Sequence, residues 1–188
     1  MFLPFEYAKV LLGRDRAEPL GVFEPVRLEL RAWPWLCDAL GHVNNARYLD
    51  LADVGRLGWL ARRGLLRKTL RQRSTFVIAG ASLTYRRSIP RLAPFVLETQ
   101  LVDFDERWLC FTSTFLLQDN GRELVAAHGV VRGQVRVRNK PARPYELIRT
   151  EGIEPTRPQQ LTQDITAFVH AQEASLNLIR NRDTRISQ

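Results

Sequence analysis

The chain is 188 residues long, 45% hydrophobic and 26% charged, with 28 basic against 20 acidic residues and a net charge of +8. That length suits one domain with room for an appendage, and the composition excludes whole-chain disorder and low-complexity architecture. No apolar run approaches the roughly 20 residues of a membrane span, and the opening MFLPFEYAKVLLGR lacks the basic region and small-residue cleavage site of a secretory signal, so a soluble cytoplasmic protein is expected.

Residues 1–24 read as a short helix, Phe5 to Leu12, stopped by Gly13 and followed by a lead-in loop with Pro19 and Gly21. From Pro25 to Trp33, Val26, Leu28 and Leu30 alternate with Arg27, Glu29 and Arg31, which predicts a strand with one wet face. Trp33 to Asn45 contains Pro34 and Gly41 and is expected to be a loop. A helical pattern runs from Ala46 to Arg62. Tyr48, Leu51, Ala52, Gly55 and Trp59 share one face, and Leu49, Val54, Leu57 and Leu60 fill much of the rest, so this helix should be buried. Asn44 or Asn45 suits its N-terminal cap. A second, basic helix is expected from Leu65 to Arg71, within the densest cationic cluster of the chain: Arg62, Arg63, Arg67, Lys68, Arg71 and Arg73. The basic excess reads first as solubility and second as a local phosphate contact, with no nucleic-acid-binding pattern beside it.

Four strands follow. Ser74–Arg87 alternates through Val77, Ala79, Ala81, Leu83 and Tyr85, Pro94–Phe104 through Phe95, Leu97 and Leu101, and Arg107–Leu117 through Leu109, Phe111, Phe115 and Leu117. In Leu124–Arg138, Arg132, Gln134, Arg136 and Arg138 are expected to face water. Asp103–Arg107 and Asn120–Gly121 read as tight turns, the second of type I′. One strand, one buried helix and four strands joined largely by hairpins predict an α+β fold in which an antiparallel sheet wraps a central helix. The domain occupies 25–145. Residues 146–188 form an extension whose amphipathic helix, Gln160–Arg180, packs on the domain or on a neighbouring subunit, with a partner-binding or membrane-surface helix as the alternative.

Chemistry concentrates in Cys37-Asp-Ala-Leu-Gly-His-Val-Asn-Asn-Ala-Arg-Tyr48. A carboxylate, Asp38, stands in a loop that feeds the start of a buried helix, where free amides and the helix dipole favour developing negative charge. A carbonyl placed there is polarised and its oxyanion stabilised, while the carboxylate attacks it or activates water. The plain structural alternative is that Asp38, Asn44 and Asn45 cap and brace the turn. Cys37 offers a thiol nucleophile with no partner histidine placed by sequence except His42. The two cysteines imply no disulfide framework, and His42, His128 and His170 are too scattered for a metal cluster, so neither metal nor cofactor is expected.

The run from Asp38 to Tyr48 resembles the D-x-x-G-H-[VM]-N-N-x-x-Y signature of hot-dog fold thioesterases, the superfamily that includes hydroxybenzoyl-CoA and acyl-ACP thioesterases. The order downstream fits the same pattern: Asp53-Val-Gly-Arg56, Leu83-Thr-Tyr-Arg-Arg-Ser88, and Asp119-Asn-Gly-Arg-Glu-Leu-Val-Ala-Ala127. The resemblance covers roughly residues 20–145. It implies a hydrolase of acyl-CoA or acyl-carrier-protein thioesters, acting as a homodimer or homotetramer with a site shared between subunits. It places Asp38 as the catalytic carboxylate, Asn45 at the helical amide that polarises the carbonyl, and His42 and Asn44 among the site residues; Tyr48, one helical turn on, is expected in the core or on the substrate-binding wall. Leu36 stands where many members carry a second acid, and Leu40 where the acyl-ACP branch has Asn.

For such a substrate, Arg86 and Arg87, with Arg71 and Arg73, are candidates for phosphate contacts. Leu51, Val54, Trp59, Phe76 and Ile78 are candidates for an acyl slot. Two other functions remain open: a non-catalytic acyl-thioester or lipid-binding protein, and an enoyl-thioester hydratase, for which the Asn-Pro before the histidine is missing.

Overall fold

Six strands pair into one antiparallel sheet in the computed structural model, which describes residues 21–149 and 161–186; the expected helix at Phe5–Leu12 lies outside them. The strands are β1 (Val26–Arg31), β2 (Ser74–Tyr85), β3 (Pro94–Phe104), β4 (Trp108–Asp119), β5 (Arg122–Val137) and the two-residue β6 (Lys140–Pro141). Their order is β1-β3-β4-β5-β2, with β6 pairing onto β5. Tight turns set the hairpin registers. Asp105 accepts the amides of Arg107 and Trp108 at 2.7 Å each, and Asn120 and Gly121 take φ of 48° and 76°, as a type I′ turn requires.

The concave face of the sheet holds helix α1 (Arg47–Arg62), the filling that the apolar pattern predicted. Tyr48, Leu51, Val54 and Trp59 are at most 2% exposed. Two glycines let the helix approach the sheet closely. A Cβ at Gly58 would sit 2.9 Å from Leu28 of β1, and one at Gly55 would collide with the hydroxyl of Thr99 on β3, itself fully buried. Arg56 is buried in the same helix, paired with Asp53 and stacked 5.3 Å from the Phe76 ring, so the Asp-Val-Gly-Arg run ties α1 to β2. The inward side chains form two clusters, one around Tyr48, Leu51, Phe95 and Phe115, the other around Trp59, Leu101, Phe111 and Val135.

Three further helices complete the described chain: α2 (Leu66–Gln72), α3 (Pro144–Ile148) and α4 (Gln163–Ile186). Helix α4 lies on the convex face, where Ile165 packs with Cys110 and Val130, and Gln172 covers Gly80 of β2. Its cover overturns one expectation. Arg132 does not face water: it is 4% exposed, bonded to Glu173 at 3.1 Å and Asp105 at 3.3 Å, with its guanidinium 5.0 Å from the Trp108 ring. Gln134 and Arg136 are half-buried and Arg138 alone of the four is exposed.

Strand β2 also departs from expectation. It ends at Tyr85, and a register shift between Ile78 and Gly80 reverses the alternation. Val77 and Ala79 therefore share no face with Leu83 and Tyr85, and Phe76 points into the core instead.

Candidate active site

The loop that carries Asp38 is folded by its own backbone. A 3-10 turn at Pro34–Leu36 leads into it, and Cys37 and Val43 pair across it. Within, the Asp38 amide donates to the His42 carbonyl at 2.9 Å and the Gly41 amide to the Asp38 carbonyl at 3.1 Å, with Gly41 at φ 79°. The segment before β3 holds the loop from outside: Val43 N–H donates to Ile89 O at 2.9 Å, and Arg91 N–H to Gly41 O at 2.8 Å. Asn44 N–H then returns to Leu36 O at 2.9 Å, so the approach to α1 is fixed on both sides.

Within this frame Asp38 is exposed, and its Oδ1 accepts the amides of Leu40 at 2.9 Å and His42 at 3.5 Å. His42 braces the turn through its main chain; among the described residues its imidazole has no hydrogen-bond partner. Leu36 is 1% exposed inside the core, which explains physically why no acid stands there, while Leu40 is 80% exposed. Cys37 is spoken for: its Sγ lies 3.5 Å from the Trp33 carbonyl, and burial raises its thiol pKa, with the nearby Asp38 charge adding to the effect. That environment favours the thiol over the thiolate, and the thiol-nucleophile reading loses its support.

The first turn of α1 distributes its free amides unevenly. Ala46, not an asparagine, occupies the cap position, and its amide donates to Asn44 Oδ1 at 2.9 Å. Arg47 N–H donates to Asn44 O at 2.8 Å and Tyr48 N–H to Asn45 O at 3.4 Å. The main-chain amide of Asn45, an exposed residue, finds no acceptor among the described residues. It is the open donor of the helix start, seven residues after the carboxylate. A residue that the sequence reading gave no site role completes the corner: Tyr85, at the end of β2, donates its hydroxyl to Asn45 O at 3.0 Å.

Other expected site residues fall elsewhere. Tyr48 is 2% exposed, edge-on to Tyr85 and Phe115 at 5.1 and 4.8 Å, and burial pushes its phenol up to about 12; within one chain it is core. Arg87 donates to the Val125 carbonyl at 3.2 Å, and Arg86, exposed, places only its main-chain amide, on Ala126. The five residues expected to line an acyl slot do not share one place. Leu51 and Val54 are closed core and Ile78 is 40% exposed, but Trp59 and Phe76 line a cavity of about 240 Å³ with Leu57, Leu60, Leu70 and Ser74. A 150 Å³ apolar cavity is enough for a benzene ring, so this one has room for more.

A family profile, that of the thioesterase-like superfamily, matches residues 32–147, which span the Asp38 loop, the central helix and the sheet. The chain belongs to the thioesterase-like superfamily. Membership supports thioester hydrolysis as the general class of chemistry. Among curated relatives, Protein THEM6 of Danio rerio is 30% identical over 99 residues, 51% of this chain and 49% of the relative. The chain thus spans about half the length of the relative it matches. Two solved structures share the fold: YbaW, a probable thioesterase of Escherichia coli (19% identity, TM-score 0.54, 62% of this chain and 88% of that one), and Slr0204 of Synechocystis, a 1,4-dihydroxy-2-naphthoyl-CoA thioesterase (11% identity, TM-score 0.56, 66% and 92%). The wrapped helix is therefore the hot-dog fold. Among the described residues no helix is long and apolar enough to cross a membrane.

Proposed function

We propose that the protein hydrolyses an acyl thioester of CoA or an acyl carrier protein to a free acid and a thiol, working as a homodimer in the cytoplasm. One observation carries the reading. An exposed carboxylate on a backbone-locked loop precedes a helix start whose Asn45 amide has no acceptor among the described residues. That amide and the positive end of α1 polarise the thioester carbonyl and receive the negative charge of the tetrahedral intermediate. Asp38 either takes a proton from water, whose oxygen bonds to the carbonyl carbon, or attacks that carbon itself. In both cases collapse of the tetrahedral intermediate breaks the C–S bond and expels the thiolate, which takes up a proton; in the second, water then cleaves the anhydride so formed and restores the Asp38 carboxylate. His42, whose ring has no hydrogen-bond partner among the described residues, and Asn44, which holds the Ala46 amide, complete the candidate site.

The dimer reading comes from β2. It is an edge strand of the described sheet, twelve residues long and without a charged side chain, and Val77, Ile78 and Tyr85 are at least 40% exposed. Monomeric proteins blunt such edges with charge or proline. A second copy pairing along it across a two-fold axis satisfies the open backbone groups.

Asp38→Asn tests the reading. Thiol release from acyl-CoA should fall by about a hundredfold or more, the scale of a lost acid–base group, with the melting temperature unmoved. A matching binding observation favours the non-catalytic alternative, because Asp38 Oδ1 already serves two loop amides. In that case the same substitution lowers the melting temperature, and neither protein releases thiol.

A further inference from the structure

At the far end of the central helix lies a groove of about 1050 Å³, bounded by α2, the end of β5 and α3. Its floor is apolar, built from Val135, Pro141 and Leu147, and its rim carries Arg67, Arg71 and Arg138. The walls are held in place by Lys68, whose Nζ donates to the carbonyls of Glu146 at 2.6 Å, Leu147 at 3.3 Å and Arg149 at 3.1 Å. These are the free carbonyls at the end of α3, so the ammonium docks that helix onto α2. Arg143 faces Glu106 at 3.3 Å, and Glu146 lines the groove. No carboxylate among the described residues pairs with Arg67, Arg71 or Arg138.

Three guanidinium groups around one concavity, with no carboxylate partner among the described residues, repel each other and attract a polyanion. Their forks match phosphate oxygens, and the apolar floor matches a flat ring system. A ring joined to several phosphates is a nucleotide.

The groove also has a definite relation to the Asp38 loop. Arg138 N–H donates to Arg73 O, beside the Ser74 end of β2, while Tyr85 at the other end touches Asn45. Within one chain the two places are separated by the length of the strand, about 36 Å at 3.3 Å per residue. Antiparallel pairing of β2 with its copy reverses one strand, so the Ser74 end of one subunit meets the Tyr85 end of the other. We propose that this groove binds the nucleotide phosphates of the thioester's carrier and does so for the Asp38 site of the partner subunit. The proposal rests on the thioesterase reading and on the β2 dimer, and it moves the phosphate contact away from Arg86 and Arg87.

Two measurements test it. Adenosine 3′,5′-bisphosphate, titrated calorimetrically, should bind the dimer, and Arg67→Gln/Arg71→Gln/Arg138→Gln should weaken it by about tenfold or more, while Arg86→Gln/Arg87→Gln changes it less than about twofold. Arg138→Gln alone, with a smaller expected loss, guards against misfolding of the triple variant. Equal weakening by both sets, or none by the groove set, overturns the proposal. The second measurement uses mixed dimers of one Asp38→Asn subunit and one groove-triple subunit. A groove acting in trans leaves one intact site, so the parental KM for acyl-CoA returns at half the parental kcat. A groove acting in its own subunit leaves no such site, and the raised KM persists, which overturns the assignment between subunits. If the natural protein binds the bisphosphate but releases no thiol, the nucleotide groove is supported and the hydrolase reading fails.

Discussion

The two ends of the central helix are built on different principles. At its start, a short loop is fixed almost entirely by main-chain hydrogen bonds, and of the polar side chains it presents Asp38 is exposed and His42 half-buried. At its far end the helix is fixed by side chains: Trp59 fully buried and 5.3 Å from Phe111, Arg63 stacked 4.4 Å from Trp59 with burial drawing its guanidinium down to about 10, and Lys68 clamped onto the end of α3. The first end is held by a dense set of main-chain bonds, as preorganised charge stabilisation requires. The second leaves empty volume, the cavity beside Trp59 and the basic groove, as binding requires. On the proposed reading, chemistry and substrate recognition are separated along one helix, and the edge strand of the proposed dimer joins them.

Breaking that junction has the largest expected effect. Ala79→Lys with Ala81→Lys puts like charges on the exposed edge of β2, and gel filtration should show a monomer with acyl-CoA turnover reduced by about a hundredfold, because the two ends no longer meet. Turnover retained by a monomer would show that one chain contains the whole site. Filling the far end comes next. Leu57→Trp at the cavity should cut kcat/KM for long or aromatic acyl groups by about tenfold relative to acetyl-CoA. Equal loss for all substrates would place the acyl group elsewhere.

Between the two ends, Gly55→Ala forces a methyl group against the buried Thr99 hydroxyl. Overpacking of about 1–3 kcal/mol outweighs the better helix propensity, about 1 kcal/mol, and denaturant titration should show a net loss. The smallest effect concerns α4, which touches neither end. Asp164 is held below the usual carboxylate range by the Thr162 hydroxyl first, then by backbone amides and by His128, whose Nε2 lies 3.6 Å away. A depressed native pKa stabilises above the unfolded value of about 3.9 and ceases to do so as pH falls through the native one. Acidification below pH ~4 should therefore loosen α4 slightly, an effect absent in Asp164→Asn and read by hydrogen exchange of residues 163–172; the exposure of Asp164 keeps it small.

Much of the fold was legible because local periodicity and burial agree. The filling helix, the Asn120–Gly121 turn and the succession of strands along the chain follow from patterns within a few residues, whereas the pairing of β2 with β5 rather than with β3 does not. The errors are long-range. No pattern inside β2 announces that its register shifts against β5 at Ile78, and no pattern inside β5 announces that α4, some 40 residues later, buries Arg132. The site divides likewise. Asp38 and Asn45 were visible because loop and helix start are contiguous in sequence. The Tyr85 hydroxyl on the Asn45 carbonyl joins residues 40 apart, and the cavity and groove arise only where α2, β5 and α3 converge.

The most direct test is to incubate the natural protein with CoA esters of short, long and aromatic acids and follow thiol and free acid together. Stoichiometric appearance of both over many turnovers, for at least one acyl class, is the predicted result. Tight binding of the esters without either product, or loss of enone absorbance from crotonyl-CoA with its thioester intact, would contradict it.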